Sequence, residues 1–286
     1  MNFQTVLFQS DKFTLKLNHI VIVGVLVLAF STSMLIRSQS AQYGNELNEF
    51  DPFFTEYIVE NGFSEYFEWH DDKSWYPYGR DVSATSQVML HTTAAITYQL
   101  FGGNSSLYDF TILFPAVIGS LTVVVIFGLV RLFGGTTAGL IASLLFAISL
   151  PLITRGLLGW FKSEPLGIFY ALLGLYLFLS AINSKNYKII ISKIILGAIM
   201  LSFGLSSWGG NQFFIIPIGL FILVLSFFRE DRKFLLWAVP LFVSIFILIS
   251  SMFERPGPSF AYGLGGISLI IPTIFFLLSI YVQKIS

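Results

Sequence analysis

Long apolar segments recur along this chain, and they constrain its fold more than any other feature. A helix that crosses a bilayer needs about 20 mostly apolar residues. Eight segments approach that length and composition: 19–36, 110–130, 137–154, 164–182, 189–206, 212–228, 234–252 and 261–283. Because 55% of the 286 residues are hydrophobic and only 11% are charged, the composition lies outside that of soluble globular domains. The sequence therefore predicts an all-α polytopic membrane protein with about eight spanning helices.

Charge and cysteine content exclude several classes of function. The formal net charge is zero, so no nucleic-acid partner is expected. The absence of cysteine excludes disulfides, thiolate metal sites and a cysteine nucleophile. His19, His70 and His91 lack the close spacing of a zinc site, and we treat His70 and His91 as structural. Lys12 and Lys16 precede the first apolar segment without a small-residue cleavage site, so this segment is predicted to be a retained anchor.

A polar region separates the first apolar segment from the others. Residues 37–81 contain ten of the sixteen acidic residues and many aromatic ones. That mixture favours a folded loop on the membrane surface over a disordered acidic tail. Segment 82–101 is apolar but also rich in Ser, Thr, Gln and His, so its own residues leave open whether it crosses the membrane.

The distribution of basic residues favours one topology. If 82–101 does not cross, ten of the sixteen basic residues fall on the N-terminal side of the membrane: Lys12, Lys16, Arg131, Lys185, Lys188, Lys193, Arg229, Arg232, Lys233 and Lys284. The positive-inside rule then places both termini in the cytoplasm. We therefore predict a cytoplasmic N-terminus and first helix in 1–36. Region 37–109 is predicted to be a large outer loop with a non-spanning amphipathic helix, and 110–286 a seven-helix bundle.

Two acidic residues at the edges of apolar segments are candidate metal ligands. Asp51 follows the first span, Glu164 opens a later one, and the predicted topology puts both on the outer face. Carboxylates suit Mg²⁺ or Mn²⁺, and such ions prefer more than one. Each residue also fits helix-start chemistry, Asp51 as an N-cap before Pro52 and Glu164 beside the positive end of a helix dipole. Both interpretations stay open here, and the functional one predicts that Asp51 and Glu164 share a divalent cation.

Basic and aromatic residues near these acids are candidates for substrate binding. Arg155 and Lys162 share the loop that leads to Glu164, and Arg80 ends an aromatic stretch of the outer loop. Each could bind a lipid-linked phosphate or simply extend its charge to the membrane interface. Trp208 lies at a Gly-rich outer turn, where it fits either a site or the interfacial aromatic belt.

Four motifs together resemble the catalytic subunit of oligosaccharyltransferase, the Stt3/AglB/PglB family, and in particular its archaeal and eukaryotic members. Glu-Phe-Asp-Pro at 49–52 resembles the first acidic motif of the family. The stretch Trp-His-Asp-Asp-Lys-Ser-Trp-Tyr-Pro-Tyr-Gly-Arg at 69–80 resembles its first-loop signature and is the most specific of the four. Arg155 followed by Gly-Trp-Phe-Lys-Ser-Glu at 159–164 is similar to the second acidic motif, and Ser-Trp-Gly-Gly at 207–210 is similar to a family turn.

The resemblance implies a GT-C-type membrane fold. It also implies transfer of an oligosaccharide from a dolichyl or related polyprenyl phosphate or diphosphate to Asn in Asn-X-Ser/Thr, at the outer face of the cell membrane. On this basis Asp51 binds Mg²⁺ or Mn²⁺ and hydrogen-bonds the acceptor amide, Glu164 is a second metal ligand, and Arg155 neutralises the phosphate leaving group. The expected partners are the lipid-linked oligosaccharide, the acceptor polypeptide and membrane lipid. The expected substrate-binding residues are Arg80, Lys162 and Trp208.

The chain departs from the family pattern in two places. The second acidic motif usually begins with an acid, but that position is Lys162, which cannot ligate a metal. Either Glu164 serves alone in that loop, or Lys162 contacts phosphate directly. The chain also has no match to a later outer-loop glutamate or to a soluble C-terminal domain with a Trp-Trp-Asp-containing motif. We therefore expect the N-terminal membrane part of such an enzyme, inactive or nearly so without a C-terminal fragment.

Other classes of protein are alternatives. A protein O-mannosyl or lipid glycosyltransferase also keeps acids in its first outer loop, but it is not expected to carry the motif at 75–80. A transporter would have polar residues near mid-membrane, whereas the spans after residue 110 are apolar at their centres. A non-catalytic membrane scaffold would tolerate Asp51→Ala.

Overall fold

The computed structural model describes residues 6–10, 13–227 and 234–285. A hairpin of β1 (Val6–Ser10) and β2 (Phe13–Lys16) leads into α1 (Leu17–Arg37). The polar region contains α2 (Pro52–Asn61), α3 (Phe63–Glu68), antiparallel β3 (His70–Asp71) and β4 (Arg80–Asp81), α4 (Val82–Thr85) and α5 (Val88–Phe101). The helices that follow are α6 (Leu107–Ala147), α7 (Leu150–Ile153), α8 (Ser163–Ile182), α9 (Tyr187–Ser207), α10 (Gln212–Leu225), α11 (Leu235–Met252) and α12 (Leu264–Ile285).

Six of the described helices are long and apolar enough to span a membrane: α1, α6, α8, α9, α11 and α12. Helix α6 has 41 residues, which makes it about 60 Å long, twice the ~30 Å hydrocarbon core. Gly135 interrupts it with non-helical torsion angles (φ 77°, ψ −177°), so α6 accounts for two of the predicted apolar segments. The shorter apolar α10 accounts for another. The predicted all-α polytopic fold is therefore confirmed.

Helix α5 is not among these candidate spans, although it is largely apolar. Its 14 residues extend about 21 Å, less than the hydrocarbon core. Its hydroxyl groups find partners inside the protein. Thr92 Oγ1 donates to the carbonyl oxygen of Val88 (2.8 Å), and Thr93 Oγ1 hydrogen-bonds Tyr170 Oη (3.1 Å). This length and this internal pairing fit a helix that lies within the protein without crossing the bilayer.

The side of the membrane that each loop faces stays a prediction, as do the region boundaries at 36 and 109. The positive-inside argument depends partly on Lys12, Arg229, Arg232 and Lys233, and these four residues lie outside the described part of the chain. The structure instead fixes which loops share one end of the helix bundle. Loop 154–162 hydrogen-bonds the end of α1 and the coil that precedes α2, so these three segments lie together.

The polar region has a small core of its own. Phe54, Tyr66 and Val82 are buried in one cluster, and Tyr57 stacks on Trp69 with ring centroids 3.9 Å apart. Aromatic pairs of this kind stabilise by burial and by ring geometry. The region is therefore folded, as its aromatic content predicts.

The close packing of α8 against α9 supports the candidate site. Helices α8 and α9 lie close together along their length because Gly174 and Gly197 face each other. A Cβ on Gly174 would lie 2.7 Å from the carbonyl oxygen of Gly197, and one on Gly197 would lie 2.9 Å from that of Gly174. Small residues at such crossings let membrane helices approach closely. The hairpin fixes the start of α8, where Glu164 lies in the first turn.

Candidate active site

Asp51 begins α2 but does not cap it. Pro52 occupies the first turn, as the Asp-Pro pair predicts, yet the Asp51 carboxylate makes no hydrogen bond to the helix backbone. Residues that cap through their side chains usually have extended backbone, whereas Asp51 has helical torsion angles (φ −54°, ψ −29°). Its side chain is only 4% exposed. A buried carboxylate must be paired elsewhere, so the capping interpretation does not account for Asp51.

Lys162 is the main partner of Asp51, although the two are 111 residues apart. Its Nζ donates to Asp51 Oδ2 at 2.7 Å and lies 2.9 Å from Glu49 Oε2. Burial lowers the pKa of Lys162, but the two carboxylates raise it by more, so the pKa lies above its usual value. The lysine is therefore charged at neutral pH and bridges two carboxylates.

A buried histidine and tyrosine lie behind Asp51. His91 Nε2 lies 3.9 Å from Asp51 Oδ1, which is too long for a hydrogen bond. His91 Nδ1 and Tyr66 Oη are 2.9 Å apart, and Tyr66 Oη is 3.0 Å from Ser86 Oγ. The ring of Phe54 lies 4.9 Å from the His91 imidazole. These contacts hold the His91 and Tyr66 side chains in place behind Asp51.

The charges of this group follow from their surroundings. Burial raises the pKa of Asp51, but the polar and charged groups beside it lower it by more, so the net shift is downward. Of these groups, the Lys162 ammonium makes the direct contact. Burial lowers the pKa of the fully buried His91 imidazole, which is therefore neutral at pH 7. Burial raises the pKa of Tyr66 to about 12. At neutral pH the site holds an ionised Asp51 between an ammonium group and a neutral imidazole.

Backbone hydrogen bonds clamp the loop that carries Lys162. Gly159 N–H donates to the carbonyl oxygen of Ile112 in α6, and Asn48 N–H donates to the Gly159 carbonyl, both at 3.0 Å. Gly159 has φ +78°, and a Cβ there would collide with the carbonyl oxygen of Glu46. The left-handed torsion angle and this close approach both require glycine. The clamp explains how residues 49–51 and Lys162 meet.

Glu164 lies in the same loop region but pairs with a different cation. Its Oε1 is 3.5 Å from Arg155 Nη1, and its Oε2 is buried without a hydrogen-bond partner. Glu164 lines a cleft with Arg37 and Arg155. The Arg37 guanidinium is fully buried and donates to the carbonyl oxygen of Leu152 at 3.1 Å. Asp51 and Glu164 are thus each held by a basic residue of one short loop, Lys162 and Arg155 respectively.

The other two predicted site residues contact neighbours of this group. The Arg80 guanidinium lies 4.9 Å from the Phe54 ring centroid, next to the side chains behind Asp51. Trp208 packs against the first turns of α8, because a Cβ on Gly167 would lie 2.6 Å from Trp208 Cβ. The structure therefore gathers Asp51 and Lys162 directly, Arg155 and Glu164 directly, and Arg80 and Trp208 at the margins.

Sequence reasoning missed three contributors: Glu49 as a partner of Lys162, and the His91–Tyr66 pair. Glu49 lies in the acidic motif that the sequence singled out, so its charge was a usable signal. His91 was treated as structural, and its position within a polar stretch of an apolar segment was the only hint of a polar neighbour. Tyr66 gave no signal beyond being one of many aromatic residues.

The donor set fits a divalent cation on Asp51 poorly. Among the described residues, no group of three or more His, Cys, Asp or Glu side chains is arranged to hold a metal ion. Lys162 Nζ already contacts Asp51 Oδ2, and an ammonium group repels Mg²⁺ or Mn²⁺. Glu164 Oε2 is unpartnered, but a single carboxylate is a weak site for such ions. The shared cation stays a prediction, and we derive no chemical step from it.

Known proteins resemble this chain in sequence. The family model described as "Oligosaccharyl transferase STT3, N-terminal" matches residues 17–286. The dolichyl-diphosphooligosaccharide–protein glycosyltransferase subunit STT3B of Arabidopsis thaliana is 30% identical over 227 residues, which cover 76% of this chain and 30% of the relative. The STT3B subunit of Oryza sativa subsp. japonica is 31% identical over 211 residues, which cover 71% of this chain and 29% of the relative.

Solved structures show the same fold. The apo oligosaccharyltransferase of Archaeoglobus fulgidus matches 92% of this chain and 34% of its own length, with a TM-score of 0.71 and 21% identity. The complex of that archaeal protein with an inhibitory peptide and a dolichol-phosphate matches 93% of this chain and 34% of its own length, with a TM-score of 0.69 and 20% identity. At these identities the structural likeness shows the fold alone, which agrees with the predicted GT-C-type membrane architecture.

These matches cover only part of each relative. The chain spans about 30% of the length of the curated relatives and about a third of the archaeal chain. Its own residues, by contrast, are matched almost from end to end by the family model. The chain therefore belongs to the STT3 family of oligosaccharyltransferases and corresponds to the N-terminal part of its members.

Proposed function

We propose that this chain is the membrane part of an enzyme that transfers a dolichyl-linked oligosaccharide to Asn in Asn-X-Ser/Thr of acceptor polypeptides. Family membership supports this reaction over protein O-mannosyl or lipid glycosyl transfer. The curated relatives are named as dolichyl-diphosphooligosaccharide–protein glycosyltransferase subunits. The archaeal relative has been solved with a dolichol-phosphate and, separately, tethered to an acceptor peptide containing an NVT sequon.

Asp51 carries the proposal. It is a buried, ionised carboxylate that does not cap its helix, so helix capping does not explain why a costly group is kept at that position. A side-chain amide is a weak nucleophile, and a carboxylate that accepts hydrogen bonds from its N–H groups orients the nitrogen for attack. We assign that orienting role to Asp51.

Arg155, in the same loop as Lys162, suits the leaving group. The Arg155 side chain is 57% exposed, so its guanidinium is accessible while one nitrogen contacts Glu164. Negative charge develops on the departing phosphate as the glycosidic bond breaks, and fixed cations stabilise it. Arginine binds phosphate oxygens in a bidentate manner. We therefore place the lipid phosphate at Arg155, with Arg80 and Trp208 as further contacts at the margins.

We propose that the site faces outward from the cell membrane. The positive-inside distribution in the sequence supports this orientation. The protein is a multi-pass integral membrane protein, and Asp51, Lys162, Glu164 and Arg155 lie at one end of its bundle. The lipid-linked donor and a translocated acceptor polypeptide would both reach that end.

The test is glycosylation of a secreted Asn-X-Thr reporter, measured by gel mobility in the source organism with any other oligosaccharyltransferase genes deleted. We expect Asp51→Asn to reduce transfer by about 100-fold. Glu60→Gln is the matched control, because Glu60 is an exposed carboxylate on the same helix α2. Loss of the chain without any loss of reporter glycosylation would contradict the proposal, as would full transfer by the Asp51→Asn protein.

A further inference from the structure

Lys162 stands where the resembling family has an acidic residue, and its ammonium group is enclosed by acids. Nζ lies 2.7 Å from Asp51 Oδ2 and 2.9 Å from Glu49 Oε2, distances typical of charge-assisted hydrogen bonds. The ring centroid of Phe50 lies 5.4 Å from the same nitrogen, within the range of a cation–π contact. Three consecutive residues, 49–51, therefore surround one positive charge.

The pair of carboxylates on Glu49 and Asp51 would otherwise be a place for a cation. Asp51 is buried and Glu49 is partly buried, and two such carboxylates at one point repel each other unless a positive charge lies between them. Mg²⁺ and Mn²⁺ bind such oxygens at about 2.0–2.2 Å. The Lys162 nitrogen already lies between the two oxygens, so a metal ion and the ammonium group compete for the same space.

We propose that the Lys162 ammonium is a built-in cation that occupies the Glu49–Asp51 carboxylate pair in place of a divalent metal ion. The pair then carries a single, covalently attached positive charge, and chelators cannot remove it. This inference concerns ion binding by Glu49 and Asp51 and is independent of whether the chain takes part in glycosyl transfer.

The position of the loop makes the arrangement specific. The clamp at Gly159 holds the loop against residues 46 and 48, so the backbone of Lys162 reaches the pair without rearrangement. Lys162 side-chain exposure is 26%, which leaves water on one side of Nζ. Removing the lysine would therefore open a solvent-connected site with two carboxylates already in place.

The experiment measures Mn²⁺ binding to the purified, chelator-treated protein by electron paramagnetic resonance of the free ion. We expect the wild type to leave millimolar Mn²⁺ free, and Lys162→Asp and Lys162→Gln to bind one Mn²⁺ at least about tenfold more tightly. Asp51→Asn in the Lys162→Asp background should abolish the gain. Lys73→Gln is the control, because Lys73 is an exposed lysine of the same polar region.

A second measurement, of thermal unfolding, shows whether each variant is folded. Lys162→Asp should unfold at a higher temperature when Mn²⁺ is added, because the ion relieves repulsion among three carboxylates, while the wild type should show no change. Binding of Mn²⁺ by the wild type that Asp51→Asn abolishes would overturn the proposal. It would equally be overturned if Lys162→Gln and Lys162→Asp are folded and neither gains Mn²⁺.

Discussion

Lys162→Ala tests how strongly the fold depends on the ion pair at Asp51. The substitution leaves a carboxylate that is 4% exposed without its cation. Breaking a buried pair from one side costs roughly 3–5 kcal/mol, and the 26% exposure of Lys162 lets water moderate the loss. We therefore expect a loss of about 2–3 kcal/mol in the free energy of unfolding.

The cost of protonating Asp51 sets an upper limit on this loss of unfolding free energy. The variant can avoid a buried charge by protonating Asp51, which costs about 1.4 kcal/mol for each pH unit above the usual carboxyl pKa of about 4. At pH 7 that escape costs roughly 4 kcal/mol, so the destabilisation cannot much exceed this value. The neutral His91 imidazole adds no compensating charge, because burial lowers its pKa.

The assay is equilibrium unfolding in detergent, followed by tryptophan fluorescence. Trp69 and Trp160 lie close to the site, and thiol-reactive dyes are ruled out because the chain has no cysteine. Lys73→Ala is the matched control and should change the stability by less than about 0.5 kcal/mol. Adding Asp51→Asn to Lys162→Ala should recover most of the loss, because it removes the unpaired charge.

The stability difference between the wild type and Lys162→Ala should also depend on pH. The folded-state pKa of Asp51 is lowered, so its contribution to stability is present above the unfolded pKa of about 4. That contribution is lost as the pH falls through the folded pKa. The difference between the wild type and Lys162→Ala should therefore shrink in acid. Equal stability of Lys162→Ala and Lys73→Ala at pH 7, or no recovery with Asp51→Asn, would show that the fold does not depend on this ion pair.

Three further predictions concern two residues near the site and the topology of the chain in the membrane. Tyr66→Phe removes a buried hydroxyl that bonds a serine and a histidine and should cost about 1–3 kcal/mol in unfolding free energy; an unchanged stability would show that the pair is not formed. Gly159→Ala should cost about 3 kcal/mol or more because of its φ of +78° and the collision with a carbonyl oxygen, whereas Gly209→Ala, with nothing within 4 Å, should be nearly neutral. In the cysteine-free chain, Asn104→Cys should react with an impermeant maleimide on intact cells, and Lys185→Cys only after permeabilisation; the reverse pattern would contradict the predicted topology.

The sequence was informative about helices because bilayer thickness sets a length that can be counted. Spans appear as apolar runs of that length, and Gly135 divides α6 where two predicted segments meet. The short α5 was harder, because its Thr and His residues are costly in lipid but satisfied against other helices. The prediction that it does not span rested on charge counting along the whole chain.

The site was less predictable because its contacts are long-range. Asp51–Pro52 predicts a capped helix equally well, and only the structure shows that the carboxylate makes no cap and pairs with Lys162 instead. The pairing of Asp51 with Lys162 depends on a clamp at Gly159, whose left-handed torsion angle is not readable from its neighbours. The sequence identified Lys162 as a departure and offered phosphate as its partner, whereas the structure pairs it with two carboxylates.

Photo-crosslinking of an acceptor peptide would show whether the acceptor binds beside Asp51. The peptide contains Asn-X-Thr with a photoreactive residue just before Asn, and mass spectrometry maps the attachment points on the membrane-embedded protein. The account predicts attachment within 46–53 and 155–164, reduced by an excess of unmodified peptide and by Asp51→Asn. Attachment confined to 183–193, which comprises the turn between α8 and α9 and the start of α9, or attachment unaffected by Asp51→Asn, would contradict this expectation.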